Sequence, residues 1–272
     1  MAGSTVMARR SKQVEGTSRR RTVFIGRIIL VVAIAAGWQV FVSTSPGFGR
    51  SVPTFIAVAR AFLKELGEPS LWRAVSQTLT VTASGLGLCL LIGIPMGLVL
   101  ASHRFLVTST RFVIDFCRTV PPFAIIPLFL LTMGPTARMS TTLIVAVGIW
   151  PILLQTIFGV RTVDPELIST ARSFRLPLHR RLLLVVAPAS LPYIFTGIRI
   201  SATLALLLAI GAELIAGVPG LGHEILLSQQ ASSDRMFALI LVAGIIGMVI
   251  AFGVIALEKR ILVWHFAPRG TA

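Results

Sequence analysis

Apolar residues in this 272-residue chain fall in long runs rather than on one face of short helices. Residues 23–42, 79–100, 112–133, 139–160, 193–216 and 236–257 each give about 20 mainly apolar positions, the length a helix needs to cross a hydrocarbon core of about 30 Å. The pattern predicts an all-α, polytopic membrane protein with six transmembrane helices. The second run is rich in small residues, Gly85, Gly87, Gly93 and Gly97, which let helices approach closely in lipid. Pro95 within it predicts a kink.

Two stretches break the pattern. Between the first and second runs, Phe55, Val58, Ala59, Phe62, Leu63 and Leu66 recur at helical spacing, with Arg60, Lys64 and Glu65 on the other face. This predicts an amphipathic helix, too charged to span, that lies on the outer interface or packs outside the membrane. Between the fourth and fifth runs lies a polar, basic loop, 161–192. Asp164 suits an N-cap, Pro165 the first helical position and Glu166 the positive end of the helix dipole. Leu167, Ala171 and Phe174 share a face, and Pro177 ends the helix. A second helical piece over 178–186 carries His179, Arg180 and Arg181, and Pro188 and Pro192 lead into the next run. From the end of the fifth run to Arg235 the chain reads as an outer loop.

Composition agrees with the runs: 55% of residues are hydrophobic and only 13% charged. The net charge of +15 raises nucleic acid as a partner. The distribution argues against it, because basic residues gather at the ends of apolar runs, as the positive-inside rule predicts. With both termini cytoplasmic, only Arg50, Arg60, Lys64, Arg73, Arg138 and Arg235 of the 25 Lys and Arg lie outside. The expected division is a basic cytoplasmic tail over 1–22, a transmembrane domain over 23–258 and a cytoplasmic tail over 259–272. Cys89 and Cys117 sit inside apolar runs, so neither a disulfide nor a metal site is expected.

Chemistry-bearing motifs are sparse. The only lysines are Lys12, Lys64 and Lys259, and no GxxxxGK[ST] phosphate loop exists. His223 and Glu224 open a zincin-like pattern, but position 227 is Leu. No catalytic residue and no cofactor is expected. Charges in or near the runs are Asp115, Arg118, Arg199 and Glu213. Such groups cost roughly 2.5–3.5 kcal/mol at the bilayer centre on insertion scales, so they face protein or water. Asp115 and Arg199 read best as structural interfacial pairs. Arg118 and Glu213 divide evenly between pairing and a place on a transport path.

The loop over 161–192 resembles the signature loop of bacterial ABC importer permeases, whose pattern is Glu-Ala-Ala, three residues, Gly, nine residues, then Ile-x-Leu-Pro. Here the triplet is Ser169, Thr170 and Ala171, the Gly position is Arg175, and the last four are Val185, Val186, Ala187 and Pro188. The Glu and the Gly are absent. The string RTVPPFAIIPLFLLTMG, with Arg118, Pro121, Pro122 and Pro127, is similar to a Pro-rich span of the nitrate, sulfonate and taurine permeases, as is GAELIAG followed by PGLG.

The resemblance implies a type I importer permease in a bacterial inner membrane, working as a homodimer with two ABC ATPase subunits and an extracytoplasmic solute-binding protein. The solute would be small, of the nitrate, sulfonate or taurine kind. It implies that Ser169, Thr170, Ala171, Arg172 and Arg175 belong to the coupling helix that docks on the ATPase, with the arginines facing an acidic rim. It implies that Arg118 and Glu213 serve the translocation path or its gate. Because an Arg resists the left-handed conformation of a helix-ending Gly, the coupling helix is expected to run on to Leu176. The alternative is a six-span secondary transporter or channel with no ATPase.

Overall fold

The computed structural model describes residues 25–26, 29–30, 32–44 and 52–263. Four helices in it are long and apolar enough to cross a membrane: Pro69–Ser102 (α3), Ala137–Arg161 (α6), His179–Ala216, whose regular part is Ala187–Ala216 (α9), and Ser233–Ile261 (α11). A fifth candidate is a bent pair, Arg104–Thr119 (α4) with Pro122–Met133, whose regular part is Ile126–Met133 (α5). The first expected span lies partly outside the described residues; within them Val32–Thr44 (α1) is an apolar helix.

The centre is a three-helix layer of α3, α6 and α9. Cys89, Leu143, Ile144, Ile152, Ala205, Leu208, Ala209 and Ala212 form its core. Small residues set its spacing. A Cβ at Gly85 would lie 2.6 Å from the Ile144 side chain, and one at Gly97 2.7 Å from that of Thr156, so the α3 backbone packs directly on α6 side chains. The Ser201 hydroxyl donates to the Gly148 carbonyl at 2.7 Å, tying α9 to α6. The helix α3 starts ten residues before its expected span. Pro69 sits in its first turn, and Leu71 and Val75 join Leu221, Ile225, Leu239 and Val242 in a second core. At 1.5 Å per residue its 34 residues reach roughly 50 Å, well beyond the hydrocarbon thickness. It runs through Pro95 as one element.

The third apolar run is not one helix. Its two halves meet at 83°. The cause is local: Val120 precedes Pro121 and Pro121 precedes Pro122, and a residue before proline is driven out of the helical region. Both are extended, at ψ 124° and 120°. A 3₁₀ turn, Pro122–Ile125, then leads into α5. Phe123 of that turn lies against α9 where Gly211 leaves room for its ring.

The amphipathic helix forms as Phe55–Leu66 (α2), with the Thr54 hydroxyl accepting from the Ala57 amide at 3.4 Å. Val58 is buried as expected, but so is Glu65, which was placed on the polar face. The outer loop before Arg235 is mostly a helix, Leu221–Ala231 (α10), whose Leu221, Gly222, Ile225 and Ser228 are buried at helical spacing.

Candidate functional site

In the loop between α6 and α9, Asp164 accepts from the Glu166 amide at 2.9 Å and starts the helix Pro165–Ser173 (α7). The helix does not extend to Leu176. The Arg175 amide donates to the Arg172 carbonyl at 2.8 Å and the Leu176 amide to the Ala171 carbonyl at 3.1 Å. That pair of bonds is the left-handed helix ending usually built on glycine, and Arg175 adopts it, at φ 51°. Among the described residues it is the one non-glycine with positive φ. Two satisfied carbonyls and the extended geometry that Pro177 imposes on Leu176 outweigh the 1–2 kcal/mol that a side chain costs in this region.

Of the expected coupling residues, Ser169, Thr170, Arg172 and Arg175 are half-buried or exposed, whereas Ala171 is buried in the chain's own fold. Ser169 donates its hydroxyl to the Glu166 carbonyl at 2.8 Å. Leu167 is 50% exposed and Phe174 76%, so these two carry the outward apolar surface. The second helical piece is Leu178–Arg181 (α8) followed by a wide π turn, Leu182–Val186, in which the Ala187 amide reaches back to Leu182. Pro188, having no N–H, cannot donate to the carbonyl four residues earlier, and the loosened turn runs straight into α9.

Glu213 is wholly buried near the end of α9. The Thr78 hydroxyl and the Gly222 amide each donate to its Oε2 at 2.9 Å, and Thr78 accepts from the Leu221 amide at 2.9 Å. Among the described residues its Oε1 has no partner. The turn before α10 presses on the carboxylate so closely that a Cβ at Gly220 would overlap it. The carboxylate therefore ties α3, α9 and α10 together at one point. Arg235, at the start of α11, adds a second tie: it donates to Glu65 at 3.0 Å, to Glu224 at 2.8 Å and to the Ser228 hydroxyl at 3.2 Å. Sequence reading missed Thr78, Glu65 and Glu224 here. The available signal was that each carboxylate sits at the buried spacing of its own helix.

Arg118 lies elsewhere, at the broken end of α4. Its Nε is 3.3 Å from Asp115 Oδ1, and Arg111 approaches the same carboxylate at 3.7 Å. It borders a cavity of about 350 Å³ between the break, α6 and α9, shared with Trp150, Pro151 and Gln155. Arg118 and Glu213 thus do not form one site. Arg199 pairs with Glu258 of α11, as the structural reading expected.

The fold around these sites is that of ABC transporter permeases. It superposes on the structure titled "Inward facing conformations of the MetNI methionine ABC transporter: CY5 native crystal form" with a TM-score of 0.61 at 17% identity, covering 70% of this chain and 95% of that one. An amino acid ABC transporter solved with histidines gives 0.61 at 16% identity over 73% and 98%. The family is fixed by sequence. Residues 93–263 match the binding-protein-dependent transport system inner membrane component, and the chain belongs to that family. SsuC of Bacillus subtilis, named for aliphatic sulfonates transport, is 32% identical over 93% of this chain and 92% of its own. CmpB of Synechococcus elongatus, a bicarbonate transport system permease, is 32% identical over 70% and 69%. TauC of Escherichia coli, a taurine transport system permease, is 30% identical over 73% and 72%. The chain is therefore the membrane permease of a binding-protein-dependent importer.

Proposed function

We propose that two copies of this chain form the transmembrane path of an ATP-driven importer, with six spans per copy and both termini in the cytoplasm. An ABC ATPase docks on α7 of each copy, and an extracytoplasmic protein delivers the solute. The solute is a small anion of the sulfonate, taurine, nitrate or bicarbonate kind. Nucleotide binding draws the α7 helices together and rocks the bundle between two states.

The observation that carries this reading is the form of α7. The helix is anchored by Ala171, closed at both ends by hydrogen bonds, and turns Leu167 and Phe174 outward. An apolar pair flanked by Arg172 and Arg175 suits a groove with an acidic rim. Ala171 fixes the helix to the bundle rather than entering the groove.

The test is co-purification of the ATPase. Phe174→Asp places an unpaired carboxylate in a desolvated contact and is expected to abolish the complex and solute-stimulated ATP hydrolysis, with normal insertion of the permease. Arg172→Glu weakens the complex until a matched acidic-to-basic change on the ATPase restores it. Full ATPase binding by Phe174→Asp removes α7 as the coupling element. A cysteine at Gly67 reacts with an impermeant reagent from outside and one at Ser173 does not; labelling of Ser173 from outside inverts the topology.

A further inference from the structure

The cavity at the break between α4 and α5 pairs an apolar wall with a few polar groups. It is walled mostly by apolar side chains, Val120, Val147, Trp150, Leu154, Ile200 and Leu204 among them. Only two polar side chains reach it, Arg118 and Gln155. The Gln155 amide makes no hydrogen bond among the described residues and is partly exposed. Asp115 takes the Nε side of the Arg118 guanidinium, which orients the group and leaves its terminal N–H groups for another ligand. Guanidinium N–H pairs fit planar and tetrahedral oxyanions in two-point contact.

A second cavity of about 340 Å³ adjoins the first and shares Arg118 and Leu154 with it. Its charged lining is Arg111, Asp115, Arg118 and Arg161, three cations against one anion. Arg161 ends α6 and Arg111 lies in the first half of α4, so this cavity opens on the side of the coupling loop. A passage lined by one sign of charge between low-dielectric walls concentrates the opposite ion. Arg118 stands where the charged cavity meets the apolar one.

We infer that the apolar cavity is a solute site for an oxyanion with a hydrocarbon body, its charged head on Arg118 and Gln155 and its body against Trp150 and Leu154. A fully hydrated inorganic anion gains nothing from six apolar neighbours and loses the water they exclude. An alkanesulfonate keeps its head on the two polar groups and buries its chain. This rests on the importer reading above and narrows its solute class.

Cys117 lines the same cavity and reports on it, while Cys89 is fully buried. The experiment uses the complete importer in proteoliposomes and measures modification of Cys117 by peptide mass spectrometry. The probes are the anionic sulfonatoethyl and the cationic trimethylammonioethyl methanethiosulfonates, each normalised to its rate with a free thiol. The anionic probe is expected to react about tenfold faster, the low end of electrostatic focusing. Arg118→Gln removes the preference and Arg118→Lys keeps it; Lys serves as the check that the site still folds. Ethanesulfonate slows labelling severalfold, and sodium nitrate at equal ionic strength does not. Gln155→Leu weakens the ethanesulfonate protection and leaves the charge preference intact. Equal protection by nitrate, a faster cationic probe, or no labelling of Cys117 by either probe overturns the inference. The labelling does not depend on ATPase docking, so loss of the complex in the α7 test with this pattern intact would fault the coupling reading alone.

Discussion

Charged groups at the two ends of the bundle are treated in opposite ways. Around α10, the covered carboxylates all meet donors. Glu65 and Glu224 share Arg235, and two donors meet the carboxylate of Glu213. Around α4, α6 and α7, cations outnumber anions: Arg111 and Arg118 divide one Asp115, and among the described residues no carboxylate pairs with Arg161, Arg172 or Arg175. A charge left without a partner on a membrane protein costs little where water reaches it and is costly where water does not. The α10 end is closed within one chain. The other end carries exposed charge that the described residues leave unpaired.

This contrast can be broken, and the largest effect belongs to its most buried member. Glu213→Ala strands the Thr78 hydroxyl and the Gly222 amide without acceptors, and each buried orphan donor costs about 1–3 kcal/mol. Thermal unfolding in detergent should fall by the equivalent of about 3 kcal/mol, with low membrane abundance. Glu213→Gln keeps an acceptor oxygen and most of the stability. If its uptake nevertheless collapses at normal abundance, the negative charge itself serves transport, and the closed end is also a working one.

The next effect is smaller because Arg235 is partly wet. Its side chain is 30% exposed against 8% for Glu65. Arg235→Gln leaves Glu65 buried opposite a neutral group and should cost about 2 kcal/mol, below the value for a fully buried pair. The double variant with Glu65→Gln should recover much of that loss. No recovery would show that Arg235 acts through Ser228 and the α11 start instead.

The smallest effect lies at the open end. Arg175→Gly relieves a left-handed side chain but adds unfolded-state freedom, so the loop should gain at most about 1 kcal/mol. Slower proteolysis of the loop measures that gain. ATPase affinity should drop in the same variant, since the cation is lost. Unchanged affinity would confine Arg175 to closing the helix and leave Arg172 as the docking charge.

What was legible in the sequence follows the range of each cause. The apolar runs needed only local composition, and α3, α6, α9 and α11 were found. The cap at Asp164 was equally local, whereas the helix stops at Ser173, short of Pro177. The break at Val120 was local too, yet the run of apolar residues across it masked the pre-proline signal. The helix α10 escaped because its buried set spans only two turns after a glycine turn. Arg175 was misjudged because a steric preference was weighed without the two hydrogen bonds that oppose it. Glu65 falls seven residues after Val58, which marks its face, but its partner Arg235 is 170 residues away. The Thr78 contact of Glu213 is 135 residues away.

The broken end of α4 has an electrical consequence. In an unbroken helix the carbonyls of Cys117 and Arg118 would accept from residues 121 and 122, but these are Pro121 and Pro122, which have no N–H to offer. Within a bilayer such carbonyls survive only against protein or water, so the break has to face the packed bundle or a wet cavity rather than lipid. A wet interior is a hazard in a membrane that stores energy as a proton and ion gradient. A fixed positive charge such as Arg118 beside such a cavity would raise the barrier to protons and metal cations without raising it for anions.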